Sequence, residues 1–211
     1  MKTRSKALLL TLCAVVLVIA TVFGTMAYLT STDKVENTFT VGSVAIKLDE
    51  AKANTDGSLV ANAERVKANS YKLLPGHTYN KDPMVTVLNG SEASYIKMTV
   101  TFSKASALDA IFAPTGADLT SIFNGYDSAN WIYKDNTKDA TADTRTYEFW
   151  YKETVGAPTA DVALDALFDS ITVPDSITKE QLATIEGMEI TVNAYAIQAA
   201  GFANAEEAWA A

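Results

Sequence analysis

The sequence is short of the residues that most often carry chemistry or cross-link an exported protein. Its 211 residues contain one cysteine, Cys13, and one histidine, His77. A zinc site built from nitrogen and sulfur ligands needs several such side chains, and a disulfide needs two cysteines. The chain also lacks any charge between Lys6 and Asp33. These absences argue against zinc and disulfide chemistry and direct attention to the uncharged N-terminal stretch.

That stretch has the three parts of a secretory signal. A short basic head precedes an apolar run, Ala7–Phe23, and the small residues Thr25 and Ala27 follow it. Small side chains at these two spacings suit the pockets of a signal peptidase. We therefore predict a signal peptide over residues 1–27, cut between Ala27 and Tyr28.

Two other interpretations of the stretch are less favoured. The uncharged run is just long enough to cross a bilayer, but Gly24 and Thr25 interrupt it before a full span. A lipoprotein signal would have small residues before its cysteine, whereas Thr11 and Leu12 precede Cys13. Cleavage is therefore preferred to a retained anchor or a lipidated cysteine.

The mature chain of 184 residues is acidic. The signal carries three of the 17 basic residues and none of the 25 acidic ones, so 14 basic face 25 acidic residues and the net charge is −11. Nucleic acids and anionic lipids bind basic surfaces, and neither is expected as a partner. A domain of this length without disulfides must be held by a sizeable core.

Alternation of apolar and polar residues dominates the mature chain and predicts an all-β fold. In Tyr95–Phe102 one face is entirely apolar, which is typical of a half-buried strand. The predicted strands are Thr38–Asp49, Met84–Asn89, Tyr95–Phe102, Thr144–Glu153, Ser170–Pro174 and Met188–Ala199. No strand–helix–strand rhythm recurs, so we expect a single antiparallel β-sandwich over residues 28–211.

Short helices and long polar loops are expected between the strands. Helical spacing of apolar residues or a capping residue predicts helices at Lys104–Phe112, Thr159–Phe168, Thr178–Ile185 and Asn204–Ala211. Two polar stretches, Ala51–Ser70 and Lys134–Asp143, are predicted to be surface loops. Asn89-Gly90 is a turn signal.

Motifs for catalysis and ligand binding are lacking. His77 follows Pro75-Gly76 and is interpreted as an exposed turn residue. The sequence has no G-x-S-x-G, no EF-hand loop and no phosphate-binding glycine pattern. A pair of glycosidase carboxylates is defined by its separation in space and stays open. We assign no catalytic, cofactor-binding or metal-binding residue.

The three tryptophans of the chain allow two interpretations. Trp131, Trp150 and Trp209 occur at strand or helix spacings. Such residues pack in a core more often than they line a partner groove, and packing is the preferred interpretation.

Three segments resemble the TasA and camelysin family of exported biofilm-matrix proteins of Gram-positive bacteria. The first, "GTMAYLTSTDKVENTFTVGSVAIKLDE", resembles that family's signal end and first strand. The second, "LLPGHTYNKDPMVTVLNGSEASYIKMTV", is similar to its L-x-P-G turn and the strands around an Asn-Gly turn. The third, "ITVNAYAIQAAGFANAEEAW", is similar to the family's ending. The likeness covers both ends and the middle of the chain.

The resemblance implies a jelly-roll sandwich, export through a dedicated signal peptidase and polymerisation of the protein with itself into matrix fibres. It also implies that the freed N-terminus, residues 28–40, is a donor strand that completes the sheet of the next subunit. The donor residues are Tyr28, Leu29, Thr30, Val35 and Phe39. No cofactor is implied.

Two other functions remain as alternatives to the fibre subunit. Camelysin relatives have been classed as metallopeptidases, but this chain has no H-E-x-x-H and only one imidazole. A non-polymerising cell-surface adhesion module is the other alternative, and a sugar stacked on Trp131 or Trp150 would be its mark.

Overall fold

Most of the alternating segments form strands in the computed structural model, which describes Val16, residues 43–112 and residues 121–211. The strands are β1 Ile46–Asp49, β2 Thr78–Asn80, β3 Met84–Val87, β4 Ser94–Ser103, β5 Trp131–Asp139, β6 Thr144–Tyr151, β7 Val162–Ala163, β8 Ser170–Thr172 and β9 Ile190–Gln198. The helices are α1 Ala105–Phe112, α2 Lys179–Thr184 and α3 Ala205–Ala210.

Every strand pair in the described parts of the chain is antiparallel, which confirms the all-β prediction. One sheet has four strands in the order β5-β6-β4-β9, and a second has three in the order β1-β3-β7. Strands β2 and β8 form a separate pair. In the four-stranded sheet, β4 lies at the centre between β6 and β9.

The two larger sheets share one hydrophobic core. The predicted apolar face of β4 is fully buried, as are Val85 and Val87 of β3. Phe123 lies at the centre of the core, with its ring centroid 4.7 Å from that of Phe168 and 5.3 Å from that of Tyr147. The period-two pattern of the sequence therefore identified the residues that join the sheets.

The helix predicted at Thr159–Phe168 is wrong. This segment is extended and contains β7, and the backbone N–H of Leu164 donates to the carbonyl of Val85. Leu164, Leu167 and Phe168 are buried as expected. Pairing with β3 supplies the backbone hydrogen bonds that a helix would otherwise provide, so the spacing of apolar residues misled here.

The loop predicted at Lys134–Asp143 is also wrong. Residues up to Asp139 belong to β5, which pairs with β6 across a short turn. An irregularity in the register falls between Tyr133 and Asp135. Because β5 is an edge strand, its side chains beyond Tyr133 are mostly exposed, and no apolar alternation marks it.

The other three helices form where the sequence predicts them. Thr178 caps α2: its side chain accepts from the backbone N–H of Gln181, whose own side chain accepts from the N–H of Thr178. The Asn89-Gly90 turn is also present, and Gly90 has a φ of 80°. The segment Ala51–Ser70 is irregular, as expected, with two isolated bridges involving its residues.

The predictions for the N-terminus lie outside the described residues. They comprise the signal peptide over 1–27, the cut between Ala27 and Tyr28, and the donor residues Leu29, Thr30, Val35 and Phe39. The described residues from 43 onward belong to one compact unit. Within the described part of the chain, no helix has the length and hydropathy of a membrane span.

Candidate functional site: an open groove beside strand β9

The edge strands β1 and β9 of the two larger sheets lie next to each other. β1 is the last strand of the three-stranded sheet, and β9 is the last strand of the four-stranded sheet. They lie side by side without sharing a ladder of hydrogen bonds. An edge strand presents main-chain N–H and C=O groups that can pair with another chain. The segment around Val66 already pairs with the residue that follows β1, and the side chains of Lys67 and Arg65 bind carbonyls of β1. Strand β9 is therefore the edge on this side at which a strand can be added.

A groove of about 910 Å³ opens beside the start of β9. One wall is the extended segment Ala68–Leu73, and the other is formed by residues 186–191 with α2. We call it the edge groove. Its walls come from parts of the chain more than 100 residues apart, and tertiary packing alone brings them together.

The wall formed by Ala68–Leu73 belongs to no strand of the described chain, and the N–H of Lys72 donates to the carbonyl of Thr55 at 2.7 Å. Within residues 43–112 and 121–211, the backbone N–H groups of Ser70 and Tyr71 donate no hydrogen bond. Further along, the Tyr79 hydroxyl donates to the carbonyl of Lys72 and accepts from the N–H of Leu74 at 2.6 Å. The segment is thus fixed around Lys72 and Leu74, whereas the N–H groups of Ser70 and Tyr71 have no partner within the described ranges.

The floor of the edge groove is apolar. Tyr71, Leu73, Leu182 and Met188 pack against a small core that is separate from the main one. Its buried members are Tyr79, Val173, Ile177 and Ile185. Burial, with a smaller contribution from the Glu50 carboxylate, raises the pKa of Tyr71, so its hydroxyl stays neutral and acts as a donor to the carbonyl of Asn80 at 2.6 Å.

Charge around the edge groove is mixed. Two lysines and two glutamates line it, and the ammonium of Lys81 is paired with Glu50. The lining residues are Lys72, Lys179, Glu186 and Glu189. The groove therefore offers no strong field of one sign to a ligand. The apolar floor, together with main-chain N–H groups that have no partner among the described residues, instead suits an extended peptide that binds by β-strand addition.

The structure separates the other residues that the sequence singled out. His77 is exposed in its turn, 6.4 Å from the ring of Tyr79, as predicted. Trp131 is 1% exposed and belongs to the core, so it offers no face to a sugar. Among the described residues, no three His, Cys, Asp or Glu side chains are grouped as metal ligands would be.

The other two tryptophans lie on the outer face of the four-stranded sheet. Trp209 of α3 has its ring centroid 6.4 Å from that of Trp150, and the ammonium of Lys97 lies 4.5 Å from the Trp209 ring. Lys134 lies 4.0 Å from the Trp150 ring and pairs with Glu206 of α3. These contacts fix the C-terminal helix on the sheet and leave both rings half-buried.

Sequence reasoning did not find the edge groove. The apolar residues of its floor, such as Tyr71 and Leu73, lie in a stretch without alternation, and the residues of α2 were recognised only as a helix. The one local signal is the polar edge strand Met188–Ala199, which the sequence predicted to be half exposed. Its inward side chains are in fact only half-buried, as an edge position requires.

Comparison of the chain with family models, with curated proteins and with solved structures gives no match. Its function is therefore argued from its own residues and geometry.

Proposed function

We propose that this chain is the secreted structural subunit of an extracellular biofilm-matrix fibre. The N-terminal segment of one copy, residues 28–40, is the donor strand, and the edge groove of the next copy receives it. One observation carries this proposal: a groove with an apolar floor lies beside the edge strand β9, and two main-chain N–H groups in its wall have no partner among the described residues. The likeness of the N-terminal junction to the TasA and camelysin family supports it.

The start of the described chain supports a donor segment that can reach outward. The carbonyls of Ser43 and Ala45 accept from the N–H groups of Glu92 and Leu88, which ties the chain to the three-stranded sheet just before β1. A segment of 13 residues ahead of that point, 28–40, could span at most roughly 43–47 Å when fully extended. That length is ample for a strand of five or six residues in a neighbouring molecule.

The finer fold belongs to the same proposal. We take the two sheets and their common core to be a jelly-roll sandwich, preceded by a signal helix that is removed at Ala27. Antiparallel pairing throughout the described strands and the crossed order β5-β6-β4-β9 support a sandwich of this type.

Cleavage acts as the assembly switch in this scheme. Before it, Tyr28 is tied to the membrane through the signal segment and cannot enter a neighbouring groove. After it, the segment is a free end without proline in Tyr28–Phe39, so every residue can donate to a ladder. Export and polymerisation are thereby coupled in one step.

Cysteine pairing between copies tests the donor and its groove directly. The mature chain lacks cysteine, so Thr30→Cys and Ser70→Cys introduce the only two thiols. When the two single variants are mixed and oxidised, we expect a disulfide-linked dimer. The matched control is Thr141→Cys, exposed at the turn between β5 and β6, which should not pair with Thr30→Cys.

A chain that carries both Thr30→Cys and Ser70→Cys tests the alternative in which the N-terminal segment pairs within its own molecule. If the segment completes its own sheet, the disulfide forms within one molecule at high dilution. That result, without cross-linking between mixed single variants, would overturn the proposed assembly and leave a non-polymerising exported domain.

A further inference from the structure

A buried lysine and a buried glutamate meet a half-buried asparagine at the edge groove, which Asn69 and Lys81 both line. The Lys81 ammonium lies 2.6 Å from one carboxylate oxygen of Glu50, and the Asn69 amide nitrogen lies 3.0 Å from the other. Glu50 and Lys81 are 5% and 8% exposed. One carboxylate thus bridges an amine and a primary amide in a place with little water.

The amide of Asn69 is held in a single orientation. Its nitrogen also donates to the carbonyl of Ala51 at 2.8 Å, and its oxygen accepts from the backbone N–H of Ala53 at 2.9 Å. The opposite orientation would place the amide oxygen against two acceptors. The amide carbon therefore belongs to a carbonyl that is already polarised by a main-chain donor.

We propose that Lys81 and Asn69 become joined by an intramolecular amide bond, with Glu50 as the general acid and base. Glu50 takes a proton from the Lys81 ammonium, and the neutral amine attacks the amide carbon of Asn69. The carbon–nitrogen bond to the Asn69 amide nitrogen breaks, and Glu50 delivers the proton to it. Glu50 then takes the second proton that the attacking nitrogen gives up, so one ammonia leaves, one Nζ–Cγ amide forms and the Glu50 carboxyl ends neutral. No oxidant or external reactant is required.

Two features of the cluster favour this reaction. The shared carboxylate holds both reacting groups together, which replaces a bimolecular encounter by an intramolecular one. The N–H of Ala53 points at the oxygen on which negative charge develops, as the donors of an oxyanion hole do.

The bond would also remove a costly feature of the fold. A buried ion pair loses hydration that its attraction only partly restores. The reaction replaces the Lys81 charge by a neutral amide and leaves Glu50 protonated, so no unpaired charge stays behind. The link connects Asn69, in one wall of the edge groove, to the residue that follows β2. It would give a mature chain without disulfides a covalent constraint, whether or not the chain forms fibres.

The intact mass of the purified mature chain tests this inference. We expect a value about 17 Da below that of the sequence, because one ammonia is lost for each bond formed. After trypsin, the peptide 68–72 should remain attached through Asn69 to Lys81 in the uncleaved peptide 73–97. Fragmentation of that branched peptide locates the bond.

Succinimide formation is the other route to the same mass change. Asn89-Gly90 and Asn124-Gly125 can each lose ammonia in this way, but neither would yield a branched peptide. A mass loss that maps to either pair would overturn the inference. So would the unmodified mass, or a loss of about 18 Da from condensation of Lys81 with Glu50, which releases water.

Two variants separate the reaction from the ion pair. Lys81→Arg keeps a cation opposite Glu50, but a guanidinium stays protonated and does not attack the amide. Glu50→Gln keeps the shape of the bridge and removes the base. Both variants should retain the full mass of their sequences while showing the far-ultraviolet circular dichroism of the parent chain. A branched peptide in Lys81→Arg, or one joining another pair of residues, would contradict the assignment.

Discussion

The main core and a cluster of charged residues around Arg65 hold the fold by different means. Phe123 and four other aromatic rings pack together with centroid distances of 4.7–6.0 Å between contacting pairs, and none of the five carries a charge. Around Arg65, the guanidinium contacts the carboxylates and main-chain carbonyls of Asp49 and Asp82. We call these the aromatic core and the Arg65 cluster.

The difference shows how a cysteine-free chain fixes an irregular segment. The aromatic core joins regular strands, whose main-chain groups pair with one another. The segment Ala51–Ser70 has few such pairs, and Arg65 anchors it to β1 and to the residues before β3 through side-chain bonds. Stability from the aromatic core should be insensitive to pH and salt, whereas that of the Arg65 cluster should depend on both.

The largest effect is expected for Phe123→Ala in the aromatic core. Removing a ring that is 1% exposed should lower the free energy of unfolding by about 3–5 kcal/mol, through lost burial and the cavity left behind. Urea denaturation of the mature chain measures it. Tyr195→Ala, at a side chain that is 44% exposed, is the control and should cost far less. Equal losses would contradict the position of the core.

Arg65→Ala should cause the next largest loss in the free energy of unfolding. It leaves the Asp49 carboxylate, with a side chain 2% exposed, without its guanidinium partner. Breaking a buried ion pair costs about 3–5 kcal/mol, and we expect about 3 kcal/mol because the Arg65 side chain is itself 26% exposed. The double variant Asp49→Asn with Arg65→Ala removes both charges and should lose less than the sum of the two single variants. Urea denaturation in which the double variant loses the sum of the two single losses would argue against coupling.

Acid should weaken the Arg65 cluster before the aromatic core. Burial alone would raise the pKa of Asp49, but hydrogen bonds from Lys47 and Arg65 hold that pKa below its usual value of 3.8. A carboxyl with a lowered pKa stabilises the fold above its unfolded pKa, and this stabilisation is lost as pH falls through the folded pKa. The stability difference between the parent chain and Asp49→Asn should therefore shrink below about pH 4. A difference that stays constant down to about pH 2 would contradict this.

The smallest effect is expected for Tyr147→Phe, and its sign is opposite. The Tyr147 hydroxyl is buried in the aromatic core and has no hydrogen-bond partner among the described residues. Removing it should raise the free energy of unfolding by about 1 kcal/mol, because an unsatisfied polar group no longer loses its hydration. Thermal unfolding checks the change. A loss of similar size would indicate that the hydroxyl is bonded after all.

Three of the five rings of the aromatic core, Phe102, Tyr147 and Phe149, could be predicted from the sequence because they lie in alternating strands, whereas Phe123 lies in no predicted element. Ile96 to Phe102 and Tyr147 to Phe149 each place apolar side chains on one face, and period two has few interpretations. Reasoning from the spacing of apolar residues was wrong for Leu164 to Phe168, because it predicted a helix where the chain is extended and pairs with β3. It also missed β5, whose outer half has no apolar face to reveal it.

The Arg65 cluster and the edge groove could not be predicted in the same way. Arg65, Asp82 and Lys81 are ordinary charged residues of a polar sequence, and only the fold shows which carboxylate each one meets. The groove depends on Tyr71 and Met188 coming together from distant positions. The sequence predicted a donor strand, Tyr28–Phe39, but it did not indicate which sheet edge would receive that strand.

Assembly of the mature chain alone tests the central claim most directly. Purified residues 28–211 and the uncleaved chain 1–211 are incubated side by side at the same concentration and viewed by negative-stain electron microscopy. The account predicts ordered filaments from the mature chain and none from the uncleaved one. A mature chain that stays monomeric at high concentration would contradict it.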